Sequence, residues 1–509
     1  MSRKKSFKIL VFGGWFVRFL QIGNNLLLIP LIIAKIGPNQ YGYWLASGGI
    51  LAWASACDLG LAGIIKQRCS LYLGRMSTGK AVEYFQVGLL IYCLLLLLLL
   101  AIIYGLSFLL DPLLNLPAQQ VTLFQHTFLL AGAAMALSVL KNIFAAYLHA
   151  AQKPTGDIVA GALGQLLNLV FVVYLLTCTS AGLWAIPIGM FANHFASVIV
   201  ILYYIFKESP VLRTKPSISR AILRDYFTVS PVLFVARLGS QMTAKIEPTL
   251  IVMFLTPELA TMFTIAKRLV EVMMGFANSV RGGLIAGFSH FFGEKGAEAT
   301  VNLLDRILQM TIGISFAIAL VYVATNRNFV DLWVGPEYYI GSLICVFMSL
   351  EAFSKSVGDS MIHLVGALGE LRRSSVALLA ESVIKVGLMF IFLPLLGVVG
   401  LPLASLISST GKAGYSICRL RRNLHCLRID MNHPMLSFLL ALSLLAGASF
   451  LGWFGAGQNP WLWLPLHLLL SAICAVFFAV WAFPFIRSEL RTTISKLQLH
   501  LPLFGSKKL

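Results

Sequence analysis

The chain has 509 residues, of which 58% are hydrophobic and only 12% charged, and its formal net charge is +19. Soluble chains carry roughly 25% charged residues, so half that share, with a mean hydropathy of +0.85, excludes a soluble globular protein and predicts an all-α polytopic membrane protein. The basic balance would suggest nucleic acid in a soluble chain, but here it follows from membrane topology, and no nucleic-acid partner is expected.

Apolar runs of ~20 residues or more, long enough to span a bilayer, fall at 9–34, 41–65, 84–109, 121–148, 157–178 and 183–206. A second series falls at 228–254, 258–292, 300–325, 338–367, 375–396 and 398–418, and a final pair at 434–455 and 462–486. That is about 14 transmembrane helices. The N-terminal Arg3, Lys4, Lys5 and Lys8 look like the start of a signal peptide, but the run behind them is too long and contains Arg18, so it reads as the first membrane helix. With the N-terminus inside, nearly all loop Lys and Arg fall on the inner side, in sets such as Lys66, Arg68, Arg75, Lys80 and Arg419, Arg421, Arg422, Arg428. The opposite loops hold only Lys35 and Arg327. This alternation predicts that both termini are cytoplasmic, in a multi-pass protein of the plasma membrane.

The basic, Pro- and Ser-containing linker 207–226 splits the first twelve spans into two sixes. The expected organisation is an N-terminal six-helix lobe (1–206), the cytoplasmic linker (207–226), a second six-helix lobe (227–420), and two extra helices with a basic tail (421–509). The halves resemble one another. Arg18 and Arg237 share one offset with Pro38 and Pro257, and Gly182-Leu183 and Gly400-Leu401 nearly share it. Six-helix halves in one orientation make a parallel repeat, whose substrate site is expected between the lobes. Pro30 and Pro248 interrupt the first and seventh spans and are read as hinges.

Charged residues within the spans mark the pathway, because a charge at membrane depth costs upward of ~2.5 kcal/mol and is kept for a bundle interior or a cavity. Lys267, Glu271, Met274, Asn278 and Arg281 repeat at helical spacing on one face, and Arg237, Gln241 and Lys245 form a second polar stripe. Arg18 lies about nine residues into its helix, roughly 14 Å deep, and is expected to face Arg237. Lys267 and Arg268 reach a similar depth. Against Arg18, Arg237, Lys245, Lys267, Arg268 and Arg281 stand only Glu247 and Glu271. This excess predicts a cationic cavity for an anionic head group, since guanidinium and ammonium groups grip phosphate oxygens. The competing reading is simple pairing, for example of Arg268 with Glu271 or Lys245 with Glu247. Asn24, Asn25, Gln241 and Asn278 are candidates for sugar hydroxyls, or for helix–helix hydrogen bonds. Glu351, Lys355, Asp359 and His363 repeat every four residues, and Glu381 and Lys385 follow on the next span. Their balanced sign suggests intralobe ion pairs or an ion-coupling site, as do Glu247, Glu271 and Asp58. Arg306 and Lys412 are expected near interfaces, with their side chains snorkelling.

The opening spans read NNLLLIPLIIAKIGPNQYGYWLASGGILAWASACDLGL. A proline-bearing apolar helix, then I-G-P-x-x-Y-G, then a helix ending D-L-G-L resembles the polysaccharide-transporter branch of the MATE-like (MOP) flippase superfamily, the Wzx-type exporters. The T-P-E-L break before F-T-I-A-K-R-L, and the turn V-D-L-W-V-G-P-E-Y-Y at 330–339, are similar to that family too. The resemblance implies two pseudo-symmetric six-helix bundles plus two C-terminal helices, working by alternating access. It also implies a substrate, an undecaprenyl-diphosphate-linked oligosaccharide repeat unit flipped to the outer leaflet of a bacterial inner membrane. The repeat unit would belong to O-antigen, capsule or exopolysaccharide. Membrane lipids, and the polymerase and glycosyltransferases of the same pathway, are the implied partners. The alternative is a MATE-type cation-coupled drug or metabolite antiporter, which the excess of bases disfavours. Enzymatic activity is not expected. The outer loops are short, the nine histidines are isolated and the eight cysteines lack metal-type spacing, so neither catalytic residues nor a cofactor are predicted.

Overall fold

The computed structural model describes residues 3–54, 61–208, 219–226, 245–424, 434–453 and 459–488. Hydrocarbon offers backbone N–H and C=O groups no partner, so so apolar a chain satisfies them within helices. Among the described residues there is no strand. Eight helical runs among them are long and apolar enough to cross a membrane. The chain is a multi-pass, all-α membrane protein. By internal contact it divides into two compact units, Met1–Thr261 and Met262–Leu509.

The first unit contains α1 (Arg3–Ala54), α2 (Leu61–Gly74), α3 (Thr78–Phe108), the short α4 (Leu110–Leu114), α5 (Val121–Ala150), α6 (Thr155–Cys178) and α7 (Ala185–Glu208). A helix at 245–254, α8, completes it. α1 is two helices joined at a kink, where Gly37 adopts φ 83°, ψ 159°. Only glycine takes that conformation at little cost, and Pro38 behind it has no N–H to continue the ladder. The kink falls within the 35–40 break expected between the first two spans, while the hinge expected at Pro30 is absent. The backbone stays helical through Pro30 and through Pro248, because a proline's fixed φ is itself helical and costs mainly one hydrogen bond.

Close contacts give the helix directions. Gly13 meets Ile158, Val17 meets Gly161, and Asn24 bonds to Gln165, so α1 and α6 run side by side in the same sense. Gly156 meets Tyr204, Ala160 accepts from Ser197, and Gly189 meets Val172, so α6 and α7 are antiparallel. On α3, Leu94, Leu97, Leu98 and Leu100 are exposed while Leu99 is buried.

The second half of α1 packs tightly on α8 and the segment that follows it. Thr249 donates to the Ala46 carbonyl at 2.8 Å, and Thr261 to the Pro38 carbonyl at 2.7 Å. A Cβ on Gly42 would sit 1.8 Å from the carbonyl oxygen of Pro257. Both sides of that clash are backbone. Gly42→Ala should therefore cost about 1–3 kcal/mol and lower the melting temperature of the purified protein by several degrees; an unchanged melting temperature would contradict this contact.

The second unit is built from α9 (Pro257–Trp333), whose first turns belong to the first unit, with α10 (Ser342–Ala367), α11 (Leu371–Leu396), α12 (Gly400–Leu424), α13 (Pro434–Trp453) and α14 (Pro460–Ala482). Although α9 is helical throughout, it is not one rod. The Tyr322 hydroxyl donates to the Ala266 carbonyl at 3.0 Å across 56 residues of sequence, which a straight helix would separate by about 84 Å. It doubles back, and its two arms match the two spans expected at 258–292 and 300–325. Phe288 on one arm and Leu304, Ile307 and Leu308 on the other share a core with Met361, Ile362, Val365 and Leu420.

The repeat is visible in the helix trios that end each half. α10 lies beside α12 in the same sense, with Glu351 reaching Ser405 and Asp359 reaching Lys412. α11 is antiparallel to α12, with Glu381 reaching Lys412 and Phe392 meeting Gly400, just as α6 is to α7. A single 3-10 turn joins each antiparallel pair, Gly182–Trp184 in the first and Gly397–Val399 in the second. Gly182 and Gly397 open these turns at φ 54° and φ 61°. By backbone geometry the partner of Gly182 is thus Gly397 rather than Gly400. The two C-terminal helices are appended to the second arm of α9. Phe316 packs on Phe478 with centroids 4.2 Å apart, Asn328 bonds His467 at 2.9 Å, and Gly452 approaches the Val323 carbonyl.

Candidate functional site

The second unit concentrates its charge where α9, α10, α11 and α12 meet. Glu351 and Asp359 sit two turns apart on one face of α10, because eight residues nearly complete two helical turns. Glu351 is buried. Its Oε1 accepts from the Ser405 hydroxyl at 2.6 Å, with Lys267 Nζ at 3.6 Å and Lys385 Nζ at 3.7 Å. Lys267 also stands 5.6 Å from the ring centroid of Phe263, one turn earlier. Two ammonium groups thus lie near one carboxylate oxygen.

The second centre is built around a lysine instead of a carboxylate. Lys412, with its side chain 1% exposed, is held between Asp359 and Glu381, the latter at 2.8 Å. The snorkelling expected for Lys412 is therefore corrected. Its ammonium is enclosed by carboxylates from two other helices and does not reach an interface. The pairing of Glu381 with Lys385 that their spacing suggested is replaced as well, since Glu381 holds Lys412 and Lys385 turns to Glu351. A separate hydroxyl cluster bonds α10 to α12: Ser409 donates to Ser354 at 3.0 Å, and Ser354 lies 2.9 Å from Thr410. In a low-dielectric interior such groups stay ionised only when each charge and lone pair is matched, and this seam supplies the matches from four helices.

The other candidates are dispersed. Arg268 pairs with Glu271 at 3.4 Å, one turn along the same helix. Asn278 is exposed. The backbone of Arg281 lies in α9, but its side chain, like all of Arg237, Gln241 and Asp58, lies outside the described residues. Lys245 is exposed and Glu247 buried. Arg18 is exposed on α1 beside exposed Phe16 and Phe19. Lys355 is half-buried on α10. Neither Arg18, Lys245 nor Lys355 forms an ion pair with an acid among the described residues. Asn24 is buried, and its amide donates to the Gln165 carbonyl at 2.6 Å and to the Gln165 side chain at 3.1 Å, while Asn25 is half-buried.

Sequence reasoning missed two clusters in the first unit. Lys141 of α5 and His149 both reach Asp157 of α6, at 2.8 and 3.1 Å. The end of the linker is tied down by Arg68 to Asp225 at 2.8 Å and by the buried Tyr226, whose hydroxyl donates to the Tyr84 carbonyl. Outside the spans, Glu370 accepts from Arg419 and, at 2.7 Å, from Arg373. The Arg419 hydrogen bonds hold this carboxyl below the usual carboxylate range. Among the described residues no group of acids, histidines and cysteines is placed to hold a metal.

No family model matches the sequence, and no curated protein matches it. Solved structures do. The lipid II flippase MurJ, in an inward closed conformation, superposes with a TM-score of 0.72 over 95% of this chain and 99% of its own, at 14% identity. An inward-facing multidrug resistance MATE transporter of the MOP superfamily gives 0.69 over 78% of this chain and 95% of its own, at 16% identity. A mutant MATE transporter of Vibrio cholerae gives 0.61 over 83% and 98%, at 15% identity. The chain has the MATE-like fold. That fold consists of two pseudo-symmetric six-helix bundles, here with two further helices, α13 and α14, at the C-terminal end.

Proposed function

We propose that this MATE-like protein is a flippase. It moves an undecaprenyl-diphosphate-linked oligosaccharide repeat unit from the cytoplasmic to the outer leaflet of the plasma membrane by alternating access. The observation that carries this reading is the sign of the uncommitted charge. The acids of α10 and α11, namely Glu351, Asp359 and Glu381, are each engaged by lysines. Arg18, Lys245 and Lys355 are cations on helices of this protein with no acid partner among the described residues. A surplus of cations suits a diphosphate, which binds through charge-assisted contacts, and repels a cationic drug. Further support comes from the likeness to MurJ, itself a flippase of a lipid, along nearly the whole chain. Arg18, Arg237, Lys245, Lys267, Arg268 and Arg281 hold the head group in this reading, and Asn24, Asn25, Gln241 and Asn278 are the candidates for sugar contacts.

The test is genetic. Cells lacking the gene should lose surface polysaccharide and accumulate its lipid-linked repeat unit in the inner leaflet, and the wild-type gene should restore export. Overexpression should leave resistance to cationic dyes unchanged. Normal surface polysaccharide in the deletion strain, or dye resistance on overexpression, would favour the antiporter.

A further inference from the structure

Six buried side-chain polar atoms find no partner among the described residues, and four of them lie near the end of α9. Three are on α9 itself, Asn326 Oδ1, Arg327 Nε and Asp331 Oδ1; the fourth is Nε2 of His467, which Asn328 bonds at 2.9 Å. An unpartnered buried donor or acceptor is costly, so this concentration calls for a reason. Arg327 and Asp331 stand one turn apart, where opposite charges ordinarily pair, yet among the described residues they form no ion pair. The Arg327 guanidinium instead lies 5.3 Å from the ring centroid of Tyr339. Tyr339 belongs to the turn that follows α9, which is bracketed by Gly335 at φ 118° and Gly341 at φ 111°. Only glycine adopts such angles readily. Glu337, inside the turn, folds its carboxylate back over Gly335, where a Cβ would sit 2.6 Å from Oε2.

The fold does not require this arrangement. At the offset that relates Asp111 to Asp331, Asn115 at φ 49° answers Gly335, so both repeats turn at the same place. Where the second repeat has Arg327, however, the first has Ser107, buried and bonded to the Tyr104 carbonyl at 2.6 Å. Pro117 and Gln119 stand where the second has Glu337 and Tyr339. The guanidinium, the second carboxylate and the covering ring are additions to one half.

We propose that Arg327 and Asp331 form a sugar-binding subsite on the outer side of the protein, covered in this structure by the flap Gly335–Gly341. Its ligand is the hydroxyl groups of the repeat unit after transfer, so the inference rests on the flippase reading and on the topology that the loop charges predict. The charges select a neutral polyol. A phosphate would meet the carboxylates of Asp331 and Glu337, and a cation would meet the guanidinium. A sugar hydroxyl both donates and accepts, so neighbouring hydroxyls take the Arg327 N–H and fill the Asp331 oxygen together, across a single helical turn. Opening of the flap at its two glycines carries Tyr339 off the guanidinium and lets the sugar take its place. With the flap closed and no sugar beneath it both atoms stay unpartnered, and the sugar is what satisfies them.

The test is binding to the purified full-length protein in lipid nanodiscs. One arm uses the free oligosaccharide released by mild acid from the cell's own lipid-linked repeat unit, and the other uses inorganic phosphate. Wild type should bind the oligosaccharide, and Arg327→Met and Asp331→Ala should each weaken it about tenfold. Neither change should lower the melting temperature, because neither side chain has a hydrogen bond or ion pair to lose among the described residues. Tyr339→Ala lifts the cover and should speed association about threefold or more. Wild-type affinity in both charge variants overturns the subsite, and so does a loss of binding that merely follows a loss of stability. An unchanged association rate in Tyr339→Ala overturns the flap. Phosphate binding that Arg327→Met abolishes would assign the site to a lipid head group or a free anion and overturn the sugar. If wild type ignores the oligosaccharide while proteoliposomes still translocate the lipid-linked unit, this inference falls alone; if nothing is translocated, the flippase reading falls, and the sugar's role as transported cargo with it.

Discussion

Lys412→Met should destabilise the protein by about 3–5 kcal/mol, the usual cost of removing one partner from a buried ion pair. The side chain is almost wholly enclosed, and its ammonium is the shared partner of Asp359 and Glu381. Without it the half-buried Asp359 and Glu381 lose the cation they share, and solvent replaces it only in part. The loss should appear as a large fall in melting temperature, or as failure to purify as a monodisperse species. Neutralising the carboxylates as well, by Asp359→Asn and Glu381→Gln alongside Lys412→Met, should recover most of the stability, because matched uncharged groups cost far less to bury than an unmatched charge. A stable Lys412→Met protein, or a triple variant no better than the single one, would contradict the buried centre.

The opposite profile is expected for Arg18→Ala. Arg18 is exposed and pairs with no acid among the described residues, so its removal should change stability by no more than about 0.5 kcal/mol, as for surface substitutions generally. Its loss should nevertheless reduce polysaccharide export by more than about tenfold, since a partly desolvated guanidinium–phosphate contact is worth roughly 1.5–3 kcal/mol. Export of surface polysaccharide and the melting temperature of the purified variant, measured side by side, separate the two effects. A variant that exports normally removes Arg18 from the substrate route.

The fold was legible because it is written in long periodic runs. Hydrocarbon forces helices, and each span announces itself by length, so the two arms of α9 could be placed although their helical assignment is continuous. The G-P pair at Gly37-Pro38 carried the first break, between the first two spans, whereas Pro30 read as a further hinge that the helix does not show, since a proline is compatible with a helix and a glycine at positive φ is not. The site was less legible for a reason of geometry. Spacing along one helix shows which residues share a face, as Glu351 and Asp359 do, and it allowed Arg268 to meet Glu271. It cannot show which helix brings the partner. Lys412 looked like an isolated cation near a span end, and Lys385 looked like the mate of Glu381. Only the packing of α10, α11 and α12 decides that Lys412 takes both carboxylates and that Lys385 joins Lys267 on Glu351. Asn24 shows the same limit, because its buried amide is engaged by Gln165, 141 residues away in sequence.

The most direct measurement of the central claim is translocation by the purified protein in proteoliposomes. An undecaprenyl-diphosphate-linked oligosaccharide carrying a lectin-readable sugar is placed on one leaflet, and its appearance on the other is followed with time. The account predicts transfer well above that of protein-free vesicles, near abolition by Arg18→Ala, and no transport of a cationic dye by the same vesicles. Transfer no faster than in protein-free vesicles, or dye transport in its place, would contradict it.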